Sequence, residues 1–352
     1  MNYKIIRIGT RKSRLALIQS RLVADAIEAQ YPDIKTELVP ISTRGDMITD
    51  RSLLELGGKG LFKHEIENVL LYKSIDLAVH SAKDMPLVMR RELNVVPVLK
   101  REDPCDIIVS LNKIPLRELK KGSVVGTGSM RRGYFAKLIN PDIIIKPIRG
   151  NVLTRLEKLK NDGYDAIILA AAGFNRLYNE MGDELLNAGS KRFISCGNNI
   201  KSDYNNQHIC NDNQCIFNIE RMDPEIFLPA AAQGILAGQY AYDNNEIAGI
   251  LKSISDKNCV LAYNTEREFL KNIGADCNAL YGIYCRSDNA EVVSIFSAYG
   301  IYKIETLKAE IKAKDALKAA RDIALKLKMK YGTPYIVAIR NTDINIFFKY
   351  FF

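Results

Sequence analysis

The chain has 352 residues, 47% of them hydrophobic and 26% charged, with a formal net charge of +9. This is ordinary globular composition with room for two or three domains, and its positive excess favours an anionic partner: nucleic acid, an anionic membrane or a polyacidic small molecule. No apolar run approaches the roughly 20 residues that span a bilayer, and the seven cysteines form no C-x-x-C pair, so neither a membrane helix nor a disulfide-stapled fold is expected.

In chain order, Lys4–Ile8 reads as a short strand. Leu15, Ile18, Leu22, Ala26 and Ala29 then recur at helical spacing over Leu15–Ala29. Thr36–Ile41 is a second strand, and Gly57-Gly58-Lys59-Gly60 a loop ahead of a helix over Leu61–Leu71. Ile75–Val79 is an apolar strand that ends at His80-Ser81-Ala82-Lys83-Asp84. Beyond Arg101-Glu102-Asp103-Pro104 the alternation resumes, with a strand at Ser123–Gly126 and a helix at Met130–Leu138. Strands at Ile143–Lys146 and Ala166–Ala170 follow, with a helix between them. This is the rhythm of α/β layers, and Pro97 and Pro104 suggest a crossover between two such units. From Asp183 to about Asp223 the chain is rich in Asn, Asp, Ser and Cys and reads as a long loop or mobile insertion. Apolar order returns at Ile226–Leu236. The C-terminal part reads as a smaller α+β unit with a strand at Val292–Tyr299 and a basic helix at Ala313–Lys328. Met1–Gly9 reads as a strand rather than a leader, so a reducing, cytoplasmic location is expected, with a plastid-like organelle the alternative if a leader is missing.

In open α/β sheets ligands gather where strands end and loops begin. Polar residues collected from such places form an unusual set. Arg11 and Ser13 follow the first strand, and Lys83 and Asp84 follow Ile75–Val79. Ser129, Arg131 and Arg132 follow Ser123–Gly126; Arg149, then Arg155, follow Ile143–Lys146; Arg176 lies past Ala166–Ala170. Guanidinium groups bind carboxylates bidentately and keep their charge, so such a set suits a polycarboxylate. Each arginine taken alone is equally well read as a solvated surface charge or the partner of an Asp or Glu. Asp84 either neutralises Lys83 or Arg11, or stabilises a substrate cation and passes protons.

The stretches Gly9–Leu17, Thr43-Arg44-Gly45-Asp46, Gly57–Phe62, His80–Asp84 and Arg101–Pro104 resemble the porphobilinogen deaminase family. So do Gly126–Arg132, Ile148-Arg149-Gly150-Asn151, Ala172–Leu177 and Leu228–Gly234, and all occur in the family's order. The resemblance implies an α/β fold of two periplasmic-binding-protein-like domains around a cleft, plus a smaller α+β C-terminal domain. The implied divisions are 1–98 with 235–253, then 104–228 with the insertion at about 183–223, then 257–352. It also implies stepwise head-to-tail condensation of four porphobilinogens, with loss of ammonia, on a covalent dipyrromethane cofactor, and release of hydroxymethylbilane for haem biosynthesis. Asp84 matches the catalytic carboxylate. Ser81, Lys83, Asp84, Ser129, Arg131, Arg132 and Arg155 match cofactor-binding residues; Arg11, Ser13, Arg149, Arg155 and Arg176 match substrate-binding ones. Lys59 and Phe62 match a mobile loop, and a monomer is implied.

The cofactor cysteine implied by the resemblance is Cys277, which follows the helix-like Thr265–Leu270. The family pattern has two glycines before this cysteine and a Val-Pro-like pair after it; here Ala275-Asp276 and Ala279-Leu280 stand in those places. Cys105, Cys259 and Cys285 lie beside apolar segments as small core side chains. His208 with Cys210 and Cys215 hints at a metal, but the spacing fits no common zinc pattern, and no metal is expected. Two rivals remain. A non-catalytic solute-binding protein of the same architecture would not need Cys277. A nucleic-acid-binding protein is suggested only by net charge, since the cations lack aromatic interleaving or a long basic tract.

Overall fold

Ile6 and Ile8, alternate residues of one apolar run, are both fully buried, and they seed the first sheet. In a computed structural model of the chain, described at residues 4–42, 64–111, 114–182, 185, 217–274, 280–287, 292–299 and 305–331, the chain divides into two compact units. One comprises Met1–Asp103 with Ala232–Asn264, the other Pro104–Ala231 with Thr265–Phe352.

The first unit is built on strands β1 (Ile5–Arg11), β2 (Lys35–Ile41), β3 (Leu77–Ser81), β4 (Leu93–Val98) and β10 (Leu236–Ala241). Their order is β2-β1-β3-β10-β4. β1 is parallel to β2 and β3, whereas β10 runs antiparallel to β3 and β4. Helix α1 (Arg14–Gln30) makes the crossover that a parallel pair requires, and α2 is His64–Leu71. α1 buries Ile18, Val23, Ala24 and Ile27 on one face, the 3.6-residue period made visible.

The second unit repeats the plan with β5 (Asp106–Leu111), β6 (Val124–Gly126), β7 (Ile144–Lys146), β8 (Ala166–Ala170) and β9 (Phe217–Arg221), in the order β7-β6-β8-β5-β9. Three parallel strands again sit beside an antiparallel one, here β5. Its helices are α3 (Met130–Ile139), α4 (Val152–Asn161) and α5 (Ala171–Met181). In each unit the antiparallel fourth strand is the one the chain enters on crossing over, the periplasmic-binding-protein-like arrangement of an α/β fold. The remaining helices are α6 (Asn245–Ser253), α7 (Lys257–Ile273) and α8 (Ala316–Tyr331). A smaller antiparallel sheet, β11 (Tyr281–Ser287), β12 (Val292–Tyr299) and β13 (Glu305–Lys312), forms the C-terminal α+β part. Its Phe296 and Tyr284 pack into the second unit's core beside Phe227 and Leu228, and residues from Thr265 onward group with that unit.

Two expectations change. The insertion expected over 183–223 stops short of 217, because Phe217–Arg221 is edge strand β9, with Phe217 buried against the sheet. Its apolar residues alternate, but the polar run ahead of it hides so short a signal. The crossover expected around Pro97 and Pro104 is present, since the first unit ends at Asp103 and the second begins at Pro104; Pro97 itself lies inside β4, an outer strand. There the missing N–H costs no ladder bond. The apolar run Ile226–Leu236 is mostly irregular, and a strand begins only at Leu236.

Candidate functional site

In the first unit the site residues stand at the carboxyl ends of parallel strands. Arg11 closes β1, half-buried, and Ser13 caps α1 by accepting from the Ala16 N–H at 3.4 Å. β3 ends at Ser81, whose hydroxyl is held by Gln19 Nε2 at 3.0 Å. A tight turn, Ala82–Asp84, follows. Ala82 and Met85 are buried and pin it, so the intervening Lys83 is half-buried and Asp84 exposed.

Gln233, not singled out in the sequence, organises this end of the sheet. It is 1% exposed, and its Oε1 accepts from Lys83 Nζ at 3.3 Å, while its backbone carbonyl accepts from Arg101 Nε at 2.9 Å. Gly234 follows at φ +89°, and a Cβ there would lie 2.3 Å from the Glu102 carbonyl oxygen. Only glycine fits that approach. Three separate sequence stretches, represented by Lys83, by Arg101 with Glu102, and by Gln233 with Gly234, thus meet around one buried amide. Behind them His80 Nε2 and Gln239 Oε1 are 2.9 Å apart, and Gln239 Nε2 donates to Glu67 Oε1 at 3.0 Å, all three residues buried.

The second unit repeats the placement. At the end of β6, Gly126 leaves room for the Tyr164 ring, 2.9 Å from where a Cβ would stand. Burial, then Asp162, pushes the Tyr164 hydroxyl up, so it stays a neutral donor to the Pro147 carbonyl at 2.8 Å. Ser129 caps α3, accepting from the Arg132 N–H at 3.4 Å. After β7, Arg149 is exposed and Gly150 takes φ +110°. Asn151 then caps α4, and the Arg155 Nε folds back onto the Gly150 carbonyl at 2.8 Å. Arg176 is buried within α5.

Arg131 and Arg132 do not project into solvent. They are 5% and 7% exposed and share Asp106, a fully buried carboxylate on β5. Arg131 Nη1 donates to Asp106 Oδ2 and to the Leu228 carbonyl, each at 2.6 Å. Arg132 Nε reaches Asp106 Oδ1 at 2.9 Å and Nη2 the same oxygen at 2.8 Å, while Nη1 donates to the Ile168 carbonyl at 3.1 Å. Asp106 was not foreseen; 25 residues of sequence separate it from Arg131, and no local pattern pairs them. Cys105, Cys259 and Cys285 are buried. Cys277, Lys59, Phe62, Thr43–Asp46 and the His208, Cys210 and Cys215 group lie outside the described residues. Among the described residues no group of His, Cys, Asp and Glu could hold a metal, and no helix is long and apolar enough to cross a membrane.

A family model described as porphobilinogen deaminase, dipyromethane cofactor binding domain, matches residues 6–197. Over 289 residues the chain is 40% identical to the porphobilinogen deaminase of Lachnospira eligens, covering 81% of this chain and 86% of that one. The chain belongs to the porphobilinogen deaminase family. The enzyme of that name from Rickettsia typhi is 39% identical over 79% of this chain and 82% of its own, and that from Bacillus subtilis 35% over 84% of both.

A dipyrromethane carries an acetate and a propionate on each pyrrole, and the donors found here suit such a group. Lys83 and Arg155 are half-buried. The Ser81 hydroxyl is held in place by Gln19. Ammonium, guanidinium and hydroxyl donors at strand ends are the chemistry that carboxylates require.

Proposed function

We propose that this chain condenses four porphobilinogen molecules head to tail, with loss of ammonia, on a dipyrromethane primer bound covalently through Cys277, and releases hydroxymethylbilane for haem biosynthesis. The observation that carries the reading is the recurrence of cations at the carboxyl ends of parallel strands in both sheets, inside stretches that occur in the family's order.

Ser81, Lys83, Ser129, Arg131, Arg132 and Arg155 hold the primer's carboxylates. When bound, the primer supplies a free pyrrole α-carbon as the point of chain growth. Arg11, Ser13, Arg149 and Arg176 bind the acetate and propionate of incoming porphobilinogen, and a fixed guanidinium fork sets the ring's orientation as well as its affinity. Asp84 is the catalytic carboxylate. Its exposed position at the tip of a pinned turn lets it meet a pyrrole N–H. As ammonia departs from the aminomethyl carbon, positive charge spreads to the pyrrole nitrogen. A carboxylate fixed beside that nitrogen stabilises the charge and accepts the proton released when aromaticity returns.

Of the seven cysteines, Cys277 is the one the reading needs, and the burial of Cys105, Cys259 and Cys285 supports it. A thioether there is stable through many cycles. The enzyme acts as a monomer in the cytoplasm, without nucleic acid or membrane. Intact-mass measurement tests the reading. Wild type carries an added dipyrromethane, Cys277→Ala lacks it and makes no product, and Asp84→Asn keeps the adduct but loses nearly all turnover. A fully active wild type with no adduct, or an adduct that persists in Cys277→Ala, overturns the attachment. Normal turnover by Asp84→Asn removes Asp84 from the chemistry.

A further inference from the structure

β11 begins at Tyr281, four residues beyond Cys277 in the chain, and its contacts reach the buried arginine pair through one short segment. The Ile283 N–H donates to the Pro229 carbonyl at 3.1 Å. The preceding carbonyl, of Leu228, accepts from Arg131 Nη1 at 2.6 Å. Leu228 is fully buried beside Phe227, which packs on Phe135 with ring centroids 5.3 Å apart. The segment is therefore held from both sides, by Arg131 and by β11.

Gly282 makes this possible. A Cβ at position 282 would stand 2.5 Å from Leu228 Cβ and 3.1 Å from the Leu228 carbonyl oxygen. That oxygen is the one Arg131 holds. Both colliding atoms lie on or beside the backbone, so they cannot swing aside as a flexible side-chain tip would. To restore ordinary contact at roughly 3.5 Å the segment would have to move by about 1 Å, carrying the Arg131 acceptor with it. Asp106 shares its carboxylate between Arg131 and Arg132, so a shift of one guanidinium disturbs the other.

We propose that Gly282 is a positioning residue for cofactor assembly, acting through the Leu228 carbonyl on Arg131 and, through Asp106, on Arg132. Its bare backbone lets β11 and the arginine pair keep one fixed register. The proposal rests on Cys277 as the attachment point and on the arginines as carboxylate binders.

The test uses apo protein produced in cells that make no porphobilinogen. Apo wild type, Gly282→Ala and a control, Gly249→Ala, are supplied with porphobilinogen, and the dipyrromethane mass is followed with time. Gly249 lies in α6 with nothing within 4 Å of its would-be Cβ. The control should load like wild type. Folded Gly282→Ala should load about a hundredfold more slowly, the scale of a misplacement near 1 Å. A folded Gly282→Ala that loads at the wild-type rate overturns the proposal. Should that variant not fold, hydrogen exchange on the wild type decides. The Ile283 amide must be as protected in apo protein as in holo protein, because the register is set before the cofactor arrives; rapid exchange in the apo form overturns it. An adduct on a different cysteine in wild type would instead refute the attachment reading, which keeps the two failures apart.

Discussion

Asp106 is the residue whose removal the structure penalises most clearly. Its carboxylate is fully buried and is the shared partner of two guanidiniums that are themselves 5% and 7% exposed. Asp106→Ala leaves both cations in the interior without that partner, and breaking a buried ion pair in this way costs about 3–5 kcal/mol. Asp106→Asn keeps one acceptor oxygen but loses the charge, so its expected cost is about 1.5–3 kcal/mol, the worth of hydrogen bonds to a charged group. Against a typical total stability of about 5–15 kcal/mol, either change is large. The measurement is urea denaturation in a Cys277→Ser background, so that bound cofactor adds nothing to the native state. It should be followed at the transition of the unit that holds Asp106, because a protein of two units need not unfold in one step. The expected order is wild type, then Asp106→Asn, then Asp106→Ala. An Asp106→Ala loss below about 1 kcal/mol would mean that the arginines relax to solvent at little cost, and the view of this pair as a rigid internal clamp would be wrong.

Replacing residues 186–216 by a short Gly/Ser bridge should preserve folding and cofactor loading, since shortening a long connection changes closure entropy little. Extending the cut through Arg221 removes β9 and the buried Phe217 and should cost at least about 3 kcal/mol; equal melting temperatures for the two deletions would contradict that assignment. Glu268 on α7 accepts from Arg321 Nε on α8 at 2.9 Å and from Asn272 at 3.0 Å. Burial raises its carboxyl, but these bonds outweigh it and hold the group below its ordinary value. The stabilisation is therefore present in full above the ordinary carboxylate range and is lost as pH falls through the lowered folded value. Arg321 is mostly exposed, so Arg321→Ala should cost roughly 0.5–1 kcal/mol at pH 7 and almost nothing near pH 2; an equal cost at both would show that packing, not charge, joins the helices.

How far the sequence reaches can be judged from particular elements. The parallel strands β1, β6 and β8 and the helix α1 are legible because their period is local: apolar runs between turn residues, or apolar residues three and four apart. Lys83, Asp84, Ser129 and Arg149 are legible as a set for a related reason. A parallel strand must be followed by a crossover, so polar residues just past an apolar run gather at one end of the sheet. The strands of the antiparallel pairs, β4 with β10 and β5 with β9, are not legible in that way. β5 and β10 sit centrally only because the chain crosses between the two units and each strand inserts beside a neighbour distant in sequence. What the cations touch was also undecided. Seen in the chain, Arg131 and Arg132 are two adjacent charges equally suited to solvent, an acid or a ligand. Tertiary structure buries both and places Asp106 between them, a pairing no local period announces. Gln233 and Gly282 belong to the same class: an amide that gathers three distant stretches and a glycine that lets Leu228 approach β11. Composition and periodicity decide which segments are strands and helices and which residue types lie at their ends, because those depend on neighbours in the chain. Partners, burial and close approach depend on neighbours in space, and only the folded chain settles them.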